Sequence, residues 1–158
     1  MNGNRAFAVQ RFLLKKIDLY DNKTFERDYP IDFERIHMSS SATLGKILAK
    51  KRGVNSEMAS IACCLHDYGR IVSGVQDNHA EAGYEPVKSF LEETALFTED
   101  EIETIALAAK NHSSKNVVGT PIEEIVKDAD VFDCWQYQIP MNRPEQKIRL
   151  EKVIKELI

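Results

Sequence analysis

The apolar positions of this chain recur at helical intervals almost from end to end. In residues 4–20, Val9, Phe12, Leu13 and Ile17 return at three- and four-residue steps, which places them on one side of an α-helix. Asp21-Asn22-Lys23 breaks that pattern. After Pro30 a second helix is predicted through residues 31–52, with Ile36, Ser40, Leu44, Ile47 and Leu48 on one stripe and His37 beside it. Lys50, Lys51 and Arg52 suit its C-terminus, and Gly53 stops it. Asn55 or Ser56 caps a third helix, whose face of Met58, Ile61, Ala62 and Leu65 runs into His66-Asp67.

Residues 71–78, with Gly74, read as a loop, and His79 stands at the start of the next helix, interrupted or begun afresh at Pro86. Thr98 and Glu101 have capping-box spacing ahead of Ile102, Ile105, Ala106 and Ala109, a helix that ends near Asn111-His112. Thr120-Pro121-Ile122-Glu123 reads as a second capping box with proline in the first turn. The helix it opens carries Ile122, Ile125, Val126, Ala129, Asp130 and Phe132. After a break at Ile139-Pro140, a last helix from Pro144 turns Leu150, Val153, Ile154 and Leu157 inward. No stretch alternates with the period of two that a strand needs. The expectation is one all-α domain over residues 1–158, a bundle of about seven helices.

Composition changes this picture little. With 158 residues, 43% hydrophobic and 29% charged, the chain is long enough for a core of its own. A net charge of −4 with intermixed signs argues against a long nucleic acid as partner, but not against a small phosphorylated one. Cys63, Cys64 and Cys134 make no Cys-x-x-Cys pair, and Cys63-Cys64, inside an apolar helix, read as small buried hydrophobes. No basic-then-apolar leader opens the chain and no apolar run reaches membrane-spanning length, so a reduced, cytoplasmic setting is expected, away from membranes. A homo-oligomer is left open.

The chemistry-bearing residues are unusually placed. All four histidines, His37, His66, His79 and His112, sit at the ends of apolar helices or beside their buried stripes. Asp67 ends a buried helix, and Asp130 interrupts the apolar run IVKDADVF. A carboxylate in such a place is costly unless paired, and a cation is one sufficient partner. Neutral imidazoles with carboxylates suit Fe, Mn, Co, Ni or Zn. Adjacent His and Asp side chains diverge on a helix, but two ions about 3.5–4 Å apart would use both, with Asp67 bridging.

This set, His37, then His66-Asp67, then Asp130 in DADVFD, resembles the HD-domain superfamily of metal-dependent phosphohydrolases, over roughly residues 31–135. Residues 4–20 and 144–158 would then be flanking helices. The resemblance implies an all-α fold with His37, His66, Asp67 and Asp130 as ligands of one metal, Asp67 helping to orient the nucleophilic water. His79 in HAEAG and His112 in KNHS fall where two-metal members carry further histidines. HDYGR is similar to the family's HD-x-G-K/R ending, which makes Arg70 the cation expected to face phosphate. Lys115, with Ser113 and Ser114, lies in a polar loop that either reaches a phosphate or is simply solvated. The family's A-D-x-hydrophobic pattern selects Asp130, leaving Asp128 behind the site or at the surface and Asp133 at the surface. Tyr68 and Trp135 read as packing residues. The implied function is hydrolysis of a small phosphorylated metabolite, a nucleotide foremost, as a phosphomonoester or phosphodiester, by a metal-activated water. Two alternatives share the pattern: a mixed-valent di-iron oxygenase of the same superfamily, and a nucleotide-binding HD module that signals without catalysis.

Overall fold

A computed structural model describes residues 4–21 and 26–158; Asn22 and Lys23, on which part of the expected first break falls, lie outside the described residues. Among the described residues nine helices follow one another: α1 (Arg5–Asp21), α2 (Ile31–Arg52), α3 (Ser56–Leu65), α4 (Tyr68–Ser73), α5 (His79–Ala82), α6 (Tyr84–Thr94), α7 (Glu99–Asn111), α8 (Pro121–Gln136) and α9 (Pro144–Leu157). Seven have ten residues or more, in line with the expected bundle, and α4 and α5 are short links between them. The described residues contain no strand. None of their helices is long and apolar enough to cross a membrane.

α3 is the axis. All eight residues from Met58 to Leu65 are buried, against α2, α7, α8 and α1. Asn55 starts it, its side chain accepting from the amides of Glu57 and Met58. α1 covers α3 with Val9, Leu13 and Ile17, each without solvent exposure.

Against α2 the expected stripe is out of phase. Ile36 and Ile47 are 51% and 44% exposed, and the buried face is instead Glu34, His37, Met38, Ser41, Ala42, Gly45, Leu48 and Ala49. The reason is the closeness of α3: a Cβ on Gly45 would stand 2.4 Å from Cys63 Sγ. The face that packs is therefore built of small residues and of the polar groups of the site, and size of side chain misleads about phase.

Other boundaries shift for local reasons. Ile71-Val72-Ser73 is helical, the last turn of α4, which Gly74 ends in the left-handed region at φ 77°. The α5–α6 division falls at Gly83 and not at Pro86, which is the third residue of α6, where a missing N–H costs little. Thr98 and Glu101 form a reciprocal capping box, whereas at α8 only the Thr120 half is made.

Candidate metal centre

The His66-Asp67 pair falls in the junction between α3 and α4. Asp67 has φ −98° and ψ 13°, outside helical geometry, so the chain turns there and both side chains point into the bundle. Gly69 makes the next turn possible: a Cβ on it would meet the His79 carbonyl oxygen at 2.2 Å and Gly83 Cα at 2.7 Å. The glycine of HDYGR lets α5 close onto α4 and deliver His79. His112 comes from the end of α7, His37 from α2 and Asp130 from α8.

These six side chains meet. Asp67 Oδ2 is 3.1 Å from His37 Nε2 and 3.2 Å from His66 Nε2, while its Oδ1 is 3.0 Å from His79 Nε2 and 3.3 Å from His112 Nε2. Asp130 Oδ1 lies 3.5 and 3.6 Å from the Nε2 atoms of His37 and His66. One carboxylate thus faces two histidine pairs, one with each oxygen.

Proton positions follow from what stands behind each ring. Nδ1 of His66, His79 and His112 lies 2.7, 2.6 and 2.6 Å from the carbonyls of Cys63, Gln76 and Ala109. A carbonyl only accepts, so these Nδ1 atoms carry the protons and Nε2 offers a lone pair in the neutral ring. Yet His37 Nε2 is 3.1 Å from His66 Nε2, and His79 Nε2 is 3.1 Å from His112 Nε2. Lone pair faces lone pair twice, in a site where Asp67 Oδ1 receives no well-directed hydrogen bond. A cation or a proton between the members of each pair resolves the conflict, and this donor set is one that divalent transition metals take. His37, His66 and Asp130, and likewise His66, Asp67 and His112, have ligand atoms within 4.8 Å of one another. His79 stands outside both groups, but its 3.0 Å approach to Asp67 Oδ1 places it with the second.

Without metal, a proton takes that part at the pair of His37 and His66. Burial opposes charge on His37, but Asp130, Asp133 and Asp67 prevail and raise its pKa well above the usual value. His66, equally buried, is raised to about 9, chiefly by the charge of Asp67. At His112 burial wins and the pKa falls to about 4. Asp67 and Asp130 stay well below the usual carboxylate range in spite of burial, Asp67 through Arg70 and His66, Asp130 through Lys115 and His37.

The two cations expected to meet phosphate, Arg70 and Lys115, border the cavity over the site and are at the same time paired with its carboxylates. Arg70 is 5% exposed and donates to Glu34 (2.7 and 3.0 Å), Asp67 Oδ2 (2.5 Å) and Gln76 (2.9 Å). Four of its five N–H groups are thereby used. Lys115 is 3% exposed, not solvated, with Nζ 2.5 Å from Asp130 Oδ2. Buried charges of opposite sign seek each other before they seek solvent or ligand. Asp133, expected at the surface, is wholly buried behind His37, and Asp128 pairs with Arg52 and Arg149. Tyr68 packs edge-on against Phe90; Trp135 leans on Phe132 and stays 42% exposed. Sequence reasoning missed Glu34 altogether, although it lies one helical turn before His37. A cavity of about 840 Å³ opens over Asp67, His79, His112 and Asp130. Tyr29, Phe33 and Arg143 contribute to its walls.

Comparison with known proteins agrees with this fold. The family model described as HD domain matches residues 35–135, more than half of the chain. No curated protein matches. A crystal structure of a predicted HD superfamily hydrolase from an uncultured Thermotogales bacterium is similar in fold, at 22% identity and a TM-score of 0.57, over 91% of this chain and 88% of that one. On the match over residues 35–135, the chain belongs to the HD-domain family, a superfamily of metal-dependent phosphohydrolases.

Proposed function

We propose that this chain is a metal-dependent phosphoric ester hydrolase with a binuclear centre, acting on a small phosphorylated metabolite such as a nucleotide, as a phosphomonoesterase or phosphodiesterase. The observation that carries the reading is the division of Asp67, with Oδ2 toward His37 and His66 and Oδ1 toward His79 and His112. His37, His66 and Asp130 would hold one ion, His79 and His112 the other, and Asp67 both. When bound, a pair of such ions supplies a water of lowered pKa and positive charge at the attacking and leaving oxygens.

The chain's own residues do the rest. Three backbone carbonyls keep the rings of His66, His79 and His112 in the Nδ1–H form, which leaves Nε2 free to bind. Arg70, braced by Glu34, holds Asp67 between the two histidine pairs, and Lys115 holds Asp130. The cavity is of a size that takes a small metabolite. Tyr29 and Phe33 offer it flat apolar faces, Phe33 stacked on His37 at 5.1 Å. Arg143, 45% exposed, is the wall cation best placed to receive a substrate anion, its Nη1 donating to the Ser113 carbonyl.

The test is metal content of protein purified without chelator or metal-affinity tag, followed by a panel of phosphomonoesters, phosphodiesters and nucleotides, with and without oxygen. About two equivalents of a transition metal and oxygen-independent phosphate release are expected. Oxygen consumption in place of phosphate release would identify an oxygenase. No metal uptake after supply of Mn, Co, Fe or Zn would overturn the reading and leave a binding module.

A further inference from the structure

Three of the four histidines in the centre rest on main-chain carbonyls, and the fourth does not. His37 Nδ1 lies 2.5 Å from Asp133 Oδ2, a side-chain carboxylate with no solvent exposure. The same Oδ2 accepts from Ser40 Oγ at 2.8 Å and is 3.4 Å from Ser41 Oγ, and Oδ1 accepts from Gln136 Nε2. Asp133 is therefore held from both ends. It cannot rotate away from His37 without leaving buried donors unpaired.

The helices explain the placement. On α8, Asp130 and Asp133 are three residues apart and share a face. On α2, His37, Ser40 and Ser41 do the same, and the two faces meet where α2 packs on α8. One aspartate of DADVFD thus reaches the Nε2 side of His37 while the other stands behind its Nδ1 side, with the imidazole between them.

We propose that Asp133 is a positioning residue of the centre: it fixes His37 with the proton on Nδ1 and the Nε2 lone pair aimed at Asp67 and Asp130, and makes that nitrogen a stronger metal ligand than a carbonyl behind it would. This rests on the metal-centre reading. A carboxylate behind a ligating imidazole raises the basicity of the ring, and removing such a partner commonly costs 10- to 100-fold in metal affinity. A mere clamp between α2 and α8 would alter stability and leave the imidazole indifferent.

The experiment uses the full chain with 15N-labelled histidine and Zn(II) as the probe, in wild type, Asp133→Asn, Asp133→Ala and Ser40→Ala. Zn(II) affinity is measured by competition with a chromophoric chelator, and His37 by its long-range 1H–15N correlations. For wild type, His37 should show a hydrogen-bonded, exchange-protected Nδ1 proton. In both Asp133 variants that signal should shift or exchange, with Zn(II) affinity lower by about 10- to 100-fold. Ser40→Ala keeps the carboxylate and removes one brace; it should change both readouts in the same direction by less, and it serves if the Asp133 variants fold poorly. Uptake by wild type with unchanged affinity in the variants overturns the proposal alone. Weaker binding with an unchanged His37 signal also overturns it, since the loss is then structural. Absence of uptake by wild type removes the metal-centre reading and this proposal together.

Discussion

Gly69→Ala tests whether the close approach of α4 and α5 is what delivers His79. The added Cβ would sit 2.2 Å from the His79 carbonyl oxygen, 2.7 Å from Gly83 Cα and 2.8 Å from Gly83 N. All three are backbone atoms, so no rotamer change relieves the overlap. Contacts of a Cβ below 3.0 Å are essentially unknown, so the carbonyl must retreat by at least 0.8 Å, the difference between 3.0 and 2.2 Å. Metal–ligand distances tolerate about 0.2 Å, so His79 Nε2 cannot keep its place opposite His112 if its backbone moves four times that far. Helix α5 has four residues and yields more readily than α4, which is tied through Arg70 to Glu34 and Asp67. The expected result is a protein that keeps the ion held by His37, His66 and Asp130 and loses or greatly weakens the other. Overpacking of this kind costs about 1–3 kcal/mol, and a chain of this length loses about 2–4 °C of Tm per kcal/mol. Elemental analysis after dialysis against a weak chelator gives the stoichiometry, and calorimetry of metal-free protein gives the Tm. Two tightly held equivalents at an unchanged Tm would refute the account of Gly69.

The remaining predictions follow from the charges. His66, raised to about 9, is protonated near pH 7.5 in metal-free protein. Metal uptake should then release about one proton, and affinity should climb with pH up to about 9; calorimetry in buffers of differing ionisation enthalpy measures the release, and none would contradict the assignment. In the metal-free protein the raised His66 contributes stability present below about pH 6.5 and lost as pH rises toward 9. His112, lowered to about 4, stays neutral while the unfolded chain takes a proton, so stability falls as pH drops from about 6.5 to 4. Tm measured in chelator from pH 4 to 9 should peak between, and His112→Ala should flatten the acid limb; an unchanged acid limb would refute the His112 part. Arg70→Ala strands Glu34, 1% exposed, and should cost about 3–5 kcal/mol, whereas the pair Glu34→Gln with Arg70→Met should cost less than the sum of its single changes. Additive losses in denaturant melts would deny the coupling.

Much of the molecule was legible because helices announce themselves by period and by caps. The Asn55 cap, the Thr98–Glu101 box and the Gly53 stop are local chemistry, and they stand where the sequence puts them. The six metal-liganding candidates were legible because a histidine or aspartate amid apolar residues contradicts its surroundings. What escaped was everything decided between helices. The phase of α2 depends on how closely α3 approaches at Gly45, which no window of α2 records. Arg70 looks like a free cation because its partner Glu34 lies 36 residues away. Asp133 looked superficial because the sequence reading chose one ligand from DADVFD and stopped there. The i,i+3 spacing from Asp130 was the available signal that both carboxylates share the inward face.

The helices outside the matched stretch bear on what can fold by itself. Residues 35–135 carry every expected ligand, yet Val9, Leu13 and Ile17 of α1 and Val153 of α9 are wholly buried. Arg149 of α9 also grips the Lys115 carbonyl at 2.7 Å, and Glu34 stands one residue before the boundary. A fragment cut to 35–135 forgoes the burial of four aliphatic side chains at about 1.5–3 kcal/mol each, a total comparable with the whole stability of an ordinary domain. Such a fragment would keep the motif and lose the means to fold around it. The stretch that is recognisable by its pattern is here smaller than the stretch that shares one hydrophobic core.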